Sequence, residues 1–268
     1  IYKPKIKSKF KSNQKWLDEA YLMGNLHGDG CIRKISDSRI HISISGVDTE
    51  NRDEIINILN SISKTNVKYI PHRRIKNGWY ISKSDKELSR LLLSKYPELV
   101  NDSHHKVIPD IIMNAPTDIR CQYIAGLWDT DGSKHNKVRG YSFSSVCEEN
   151  IHRLQLLLLS IGIHSFVSPK ETLYKGKKGV TYRLRIPSTQ VDKFQELIPM
   201  RISRKRYINR PIRNHYGDKL PVEIGKVVRD IYLKQSNTKG IFPDLNRTIR
   251  NQLRDISRLT LSTLEEFL

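Results

Sequence analysis

The chain has 268 residues and a formal net charge of +19, from 47 lysines and arginines against 28 aspartates and glutamates. A hydrophobic fraction of 37% with 28% charged residues excludes a disordered polyelectrolyte, and no stretch approaches the roughly 20 consecutive apolar residues of a membrane span. The positive excess selects a polyanionic partner, nucleic acid first, and the basic start lacks the apolar core of a secretion signal, so the chain is expected inside a cell or organelle and on no membrane.

The first periodic element is the apolar, small-residue stretch Leu22-Met23-Gly24-Asn25-Leu26-His27-Gly28-Asp29-Gly30, which predicts a helix ending on an acid with glycine just past it to stop it. From Cys31 to Ser45 the pattern alternates, with Ile40, Ile42 and Ile44 opposite Arg39, His41 and Ser43. Ile55, Ile58, Leu59 and Ile62 then recur at helical spacing between Thr49 and Ser63. Residues Val67 to Ser82 read as a strand pair around Asn77-Gly78, with His72, Arg73, Arg74 and Lys76 at its tip. Ser84-x-x-Glu87 has the form of a capping box opening a short helix through Leu93.

Pro109 to Arg120 reads as a linker, and the order then repeats. Ile124-Ala125-Gly126-Leu127-Trp128-Asp129-Thr130-Asp131-Gly132 stands 102 positions after the first such stretch. A strand with Arg139, Tyr141 and Phe143 follows, then a helix with Ile151, Leu154, Leu157, Leu158 and Ile161. Two strands flank the turn Lys175-Gly176-Lys177-Lys178-Gly179, with Tyr182, Leu184 and Ile186 alternating against Arg183 and Arg185, and Ser188 is placed to cap a last helix. Each half is therefore helix, two strands, helix, two strands, helix, an α+β unit with an antiparallel sheet. The expected domains are 1–108, 109–200 and a basic segment with a small helical extension over 201–268.

Cys31, Cys121 and Cys147 form no paired motif and are expected as reduced thiols, and His104-His105 has no second ligand cluster to make a metal site. The acids carry more information. A helix C-terminus already bears about half a negative charge, so Asp29 and Asp131 sit where carboxylates are disfavoured unless a cation is beside them. Gly24 and Gly28, like Gly126 and Thr130, form a small-residue stripe that lets two helix backbones meet closely. Packed on one another, the two helices would bring Asp29 and Asp131 side by side, where divalent cations relieve the repulsion. Oxygen donors of this kind, with the backbone at Gly28 and Thr130, suit Mg²⁺ and metal-assisted phosphodiester hydrolysis. Asp129, inside its helix opposite His27, is read as a supporting group rather than a ligand.

The two stretches resemble the LAGLIDADG motif of the homing endonucleases. The second keeps Ala125, Gly126, Leu127, Asp129, Asp131 and Gly132; the first keeps Leu22, Gly24, Asp29 and Gly30, with His27 where the motif has an earlier acid and Asn25 where it has an apolar residue. The resemblance covers roughly residues 16 to 200. It implies two pseudo-symmetric αββαββα repeats whose antiparallel, saddle-shaped sheets surround a central pair of motif helices. It also implies a monomeric, site-specific double-strand DNA endonuclease using Mg²⁺, with Mn²⁺ or Ca²⁺ able to substitute in binding, on a long, non-palindromic target. A basic residue after each repeat would stand near the metals, Lys106 in the first and Lys205, with Arg204 as rival, in the second. The DNA-contacting residues would be Arg33, Lys34, Arg39, His41, His72, Arg73, Arg74 and Lys76, then Lys134, Lys137, Arg139, Lys175, Lys177, Lys178, Arg183 and Arg185. The same fold also serves RNA maturases that assist intron splicing, and inactive DNA binders, which are the alternatives. Some members are carried in inteins; with Ile1 at the start and no His-Asn ending at Leu268, this chain is expected not to splice itself.

Overall fold

A computed structural model describes residues 12–63, 66–135, 139–174, 177–207 and 230, apart from the side chains of 174 and 177. By packing, the chain divides into Ile1–Ile186 with Gln190–Pro211 and, separately, Pro187–Thr189 with Ile212–Leu268. All elements named below lie in the first unit, and the expected helical extension over 217–268 falls outside the described residues except at Asp230.

The first repeat runs α1 (Gln14–His27), β1 (Gly30–Ser36), β2 (Arg39–Gly46), α2 (Thr49–Ser63), β3 (Ile70–Pro71), β4 (Trp79–Lys83) and α3 (Lys86–Lys95). The linker read over Pro109 to Arg120 is shorter: it holds a one-turn helix, α4 (Asp110–Met113), and the second motif helix already begins at Thr117. The second repeat is α5 (Thr117–Asp131), β5 (Ser133–Lys134), β6 (Tyr141–Ser145), α6 (Glu148–Ser160), β7 (Phe166–Tyr174), β8 (Lys177–Ile186) and α7 (Val191–Leu197). The sheets are antiparallel and equivalent in order, β1-β2-β4-β3 and β5-β6-β8-β7. This is the expected doubled α+β fold.

Alternation decides which face each sheet buries. Ile40, Ile42, Ile44 and Ile81 in the first sheet, and Tyr141, Phe143, Leu184 and Ile186 in the second, are buried in one continuous core with the helices. Trp128 anchors the second half of that core, its ring 4.8 Å from Phe194 and 5.9 Å from Phe143. Asn77, with φ 60°, supplies the left-handed residue expected in the 72–78 turn, and His72 Nδ1 accepts the N–H groups of Arg74 and Ile75 to hold that tip.

Two capping expectations are corrected. Asp85, not Ser84, caps α3 by accepting Leu88 N–H at 2.9 Å, while Ser84 Oγ donates to Ile40 O at 2.8 Å and ties the helix start to β2. At α7 the N-cap is Gln190, with no side-chain capping bond, so Ser188 does not fill that role.

Candidate active site

The two motif helices, α1 and α5, meet backbone to backbone. A β-carbon at Gly24 would lie 2.1 Å from Tyr123 O, and one at Gly126 would lie 2.1 Å from Tyr21 O, so neither position accepts a side chain. The remaining members of the small-residue stripe meet as knob and hole: a β-carbon at Gly28 would lie 2.0 Å from Thr130 Oγ1 and 3.2 Å from Asp131 Oδ2. Glycine is required past the helix ends for space, not for a left-handed turn. Gly132 has φ −66°, and a β-carbon there would strike the Trp128 ring at 2.3 Å; at Gly30 it would meet Leu26 O at 2.4 Å.

This packing brings the two acids to one place. Asp131 is the last residue of α5, and Asp29 follows the Gly28 cap of α1; both are exposed at the helix ends. Partial desolvation raises the Asp29 carboxyl above the usual carboxylate range, with Lys205 opposing and Asp48 adding to the shift. Desolvation and the Asp29 carboxylate push Asp131 up to about 6, against the pull of Lys205 and Lys106.

The expected cations are present at both helix ends. Lys106 Nζ donates to Gly30 O at 3.2 Å and to Leu26 O and His27 O at 3.4 Å, over the end of α1. Lys205 Nζ donates to Trp128 O at 2.9 Å and Thr130 O at 2.5 Å, over the end of α5. Each lysine satisfies helix-end carbonyls and offsets the negative pole that makes an acid unfavourable there. Burial lowers both ammonium groups, with Arg204 lowering Lys205 further and neighbouring acids countering in each case. Arg204 is turned away: its guanidinium forks onto the Asp48 carboxylate at 2.6 and 2.5 Å. The structure thus puts Lys205, rather than Arg204, at the position equivalent to Lys106.

The donor set suits a hard divalent ion. Two carboxylates converge under mutual repulsion, and among the described residues no group of three His, Cys, Asp or Glu side chains could hold a metal. Backbone oxygen, water and phosphate would complete the shell, as Mg²⁺ coordination permits. Asp29 and Asp131 would hold such an ion; of the two backbone oxygens expected beside them, at Gly28 and Thr130, that of Thr130 is already engaged by Lys205.

Asp129 and His27 face inward. Tyr21 donates to Asp129 Oδ2 at 2.9 Å across the helix pair, and Asp129 also accepts Arg201 N–H at 2.8 Å and Ile202 N–H at 3.3 Å. On the equivalent side Tyr123 meets His27 Nδ1 at 2.5 Å. Burial, with a lesser push from Lys106, lowers the imidazole to about 3, so it is neutral. Asn25 is fully buried; its amide donates to Tyr21 O at 2.9 Å and its oxygen accepts from Asn51 at 3.4 Å, which is how a polar residue stands at an apolar position of the motif.

The outer sheet faces carry part of the expected DNA-contacting set. Cross-strand register puts Arg33 opposite His41, Arg185 opposite Ser142 and Phe166, and Arg183 opposite Ser144 and Ser168, all away from the core. His41 is bonded to Ser82 Oγ at 2.8 Å, and Arg39 Nε donates to Ser84 Oγ at 3.2 Å. Arg73, Arg74 and Lys76 are exposed at the 72–78 tip, with His72 beneath them.

Four basic residues do not share those faces. Lys34 is opposite core residue Ile40 and pairs with Asp37, and Lys178 is opposite Leu173 on the Leu184 side of its strand. Lys134, opposite buried Tyr141, donates to Arg206 O at 3.0 Å, and Arg139 forks onto Asp192. Lys137, Lys175 and the Lys177 side chain lie outside the described residues.

Comparison with known proteins agrees with this architecture. The family model described as "LAGLIDADG-like domain" matches residues 118–199. Two proteins of Methanocaldococcus jannaschii are similar in sequence: a probable translation initiation factor IF-2, 29% identical over 179 residues, and the ATP-dependent DNA helicase Hel308, 30% identical over 172 residues. The matches cover 66% and 60% of this chain but only 14% of either relative, so the chain spans a small part of the proteins it resembles. Among solved structures, variants of the homing endonuclease I-DmoI align at a TM-score of 0.52 with 15% identity, over 69% of this chain and 97% of that one. I-WcaI, bound to its DNA recognition sequence, aligns at 0.50 with 16% identity over 76% and 92%. At such identities the likeness shows the fold. With its two glycine-packed motif helices, its paired acids and its doubled sheet order, the chain has the fold of the LAGLIDADG homing endonucleases, and residues 118–199 match the LAGLIDADG-like domain.

Proposed function

We propose that the chain is a divalent-metal-dependent endonuclease that cuts both strands of a specific DNA site, acting as a monomer with one cleavage centre per strand. The observation that carries this reading is the meeting of Asp131 with Asp29 at the end of the α1–α5 pair, with Lys106 and Lys205 over the two helix ends. A bound Mg²⁺, for which Mn²⁺ or Ca²⁺ substitutes in binding, supplies charge stabilisation to the scissile phosphate. The protein's own groups do the rest. Asp29 and Asp131 offer ionised oxygen, and Lys106 and Lys205 keep the site cationic toward phosphate. The Tyr21–Asp129 and Tyr123–His27 bonds hold the two helix ends in register.

Recognition falls to the outer faces, where Arg33, Arg39, His41, Arg183 and Arg185 would meet phosphates and base edges in a major groove. The two faces carry different residues, so the target is long and not palindromic. I-WcaI is described bound to its DNA recognition sequence, and I-DmoI, at a TM-score of 0.51, in complex with DNA and Ca, which supports a DNA partner and a divalent ion for this chain. The matches to an initiation factor and to a helicase each cover only 14% of the relative, which supports reading the matched stretch as a self-contained module. On this reading the module is intron- or intein-borne in origin and acts wherever its target DNA lies.

The test is selection of cleavable sites from a randomised duplex library in Mg²⁺, followed by Asp29→Asn and Asp131→Asn. Each variant should bind the selected site and lose double-strand cleavage. Full cutting by either overturns the reading.

A further inference from the structure

Lys205 is held by a segment with little structure of its own. It ends a single turn, Ser203–Lys205, and belongs to no sheet. Its neighbours are fastened to the first repeat and to the helix pair. Arg201 forks onto Glu54 of α2 at 2.9 and 2.8 Å, and its guanidinium lies 3.6 Å from the centre of the Tyr21 ring. Ser203 donates N–H and Oγ to Glu50 at 2.8 and 2.6 Å, and Arg204 forks onto Asp48. Asp129 fixes the backbone of the same segment by accepting the N–H groups of Arg201 and Ile202. The lysine that closes the second motif helix is therefore placed by the acidic start of α2 in the other repeat.

These ties differ in strength. The Arg201 and Glu54 side chains are 18% and 34% exposed, whereas Arg204 is 60% exposed and its pair with Asp48 is screened by water. Lys106 is fastened otherwise: its N–H donates to Asp102 O, and the chain beyond it is held by Arg153, which donates to Ile108 O and Asp110.

We propose that Glu54, acting through Arg201 and together with Asp129, is a positioning residue for Lys205, so that the first repeat governs one of the two cleavage centres. The cleavage part of this inference rests on the nuclease reading; the placement of Lys205 does not.

Amine acetylation of the intact protein, read by peptide mass spectrometry, tests the placement without DNA. Glu54→Gln should raise Lys205 labelling about fivefold and leave Lys106 within about twofold, because only one anchor opens. Arg201→Lys, which keeps the charge and loses the fork, should move Lys205 in the same direction. On the selected duplex both variants should accumulate nicked DNA at the expense of linear product, while Arg204→Ala should leave that ratio near wild type. Unchanged Lys205 labelling, or a joint rise at both lysines, overturns the proposal. If the two variants show the labelling pattern but the wild-type protein cuts no duplex, the nuclease reading falls and the anchor stands.

Discussion

The Tyr123 hydroxyl lies 2.5 Å from His27 Nδ1, in the place where, on the opposite side of the helix pair, the Tyr21 hydroxyl meets Asp129. One bridge is built on a neutral imidazole and the other on a carboxylate, and this difference has a measurable pH consequence. His27 titrates near 3 in the fold, below its unfolded value of about 6.5, so the unfolded chain binds more protons between those values and stability falls as pH falls. Acidification from pH 6.5 to 5 should cost about 2 kcal/mol through this residue. Asp131, raised to about 6, has the opposite sign: the fold gains stability as pH drops through 6 toward 4. Urea unfolding across pH 4 to 7 without metal separates them. His27→Gln should remove the acid-side loss, and Asp131→Asn should remove the opposing gain.

Gly24 and Gly126 tolerate no side chain. A methyl at either must push the opposing carbonyl back from 2.1 Å, which separates the helices along their contact. Gly24→Ala or Gly126→Ala should cost about 3 kcal/mol or more, lowering Tm by roughly 6 to 12 °C for a chain of this size. Calorimetry showing a change under about 1 kcal/mol would contradict the close backbone contact.

Lys205 and Arg204 are adjacent but differently employed. Lys205→Met removes the charge over the α5 end and should slow cleavage of one strand by about 100-fold, the scale of losing a transition-state charge partner. Arg204→Ala, which releases an exposed ion pair, should stay within about threefold. Strand-specific cleavage kinetics on an end-labelled duplex read both.

Arg183 and Arg185 lie on the outer face of the second sheet, whereas Lys178 sits on the reverse side and Arg139 is committed to Asp192. Replacing Arg183 or Arg185 with alanine should weaken binding by about 1 to 3 kcal/mol, or reduce the salt slope by about one if the contact is to phosphate. Lys178→Ala and Arg139→Ala should leave the salt slope unchanged. Titrations between 50 and 200 mM salt are the measurement.

The repeat order and the meeting of the two acids were legible because they rest on local signals: small-residue spacing, alternation, and acids where the helix dipole opposes them. The lysines over the helix ends came only from the family resemblance, which left Lys205 and Arg204 as rivals until the Arg204 fork onto Asp48 separated them. Face assignments were less so. Whether Lys34 shares the face of Arg33 depends on strand parity near a register shift between Lys34 and Ser36, and Lys134 follows from a two-residue strand. The pairings of Arg201 with Glu54 and of Arg139 with Asp192 join residues 147 and 53 positions apart, beyond any periodicity. Asp129 gave a partial signal, an acid inside a helix opposite a histidine, but its backbone partners in the 201–202 segment could be found only in three dimensions. Ser84 misled because two adjacent residues could cap, and Ile40 O claimed one of them.

The contact through Gly24 and Gly126 is backbone against backbone, so at that crossing no rotamer sets the spacing of the two motif helices. On the nuclease reading, the stagger between the two strand breaks is then a property of peptide geometry, while the letters being read depend on interchangeable strand residues. Such a protein can drift to new targets by exchanging Arg33, His41, Arg183 or Arg185 and still leave ends with the same overhang.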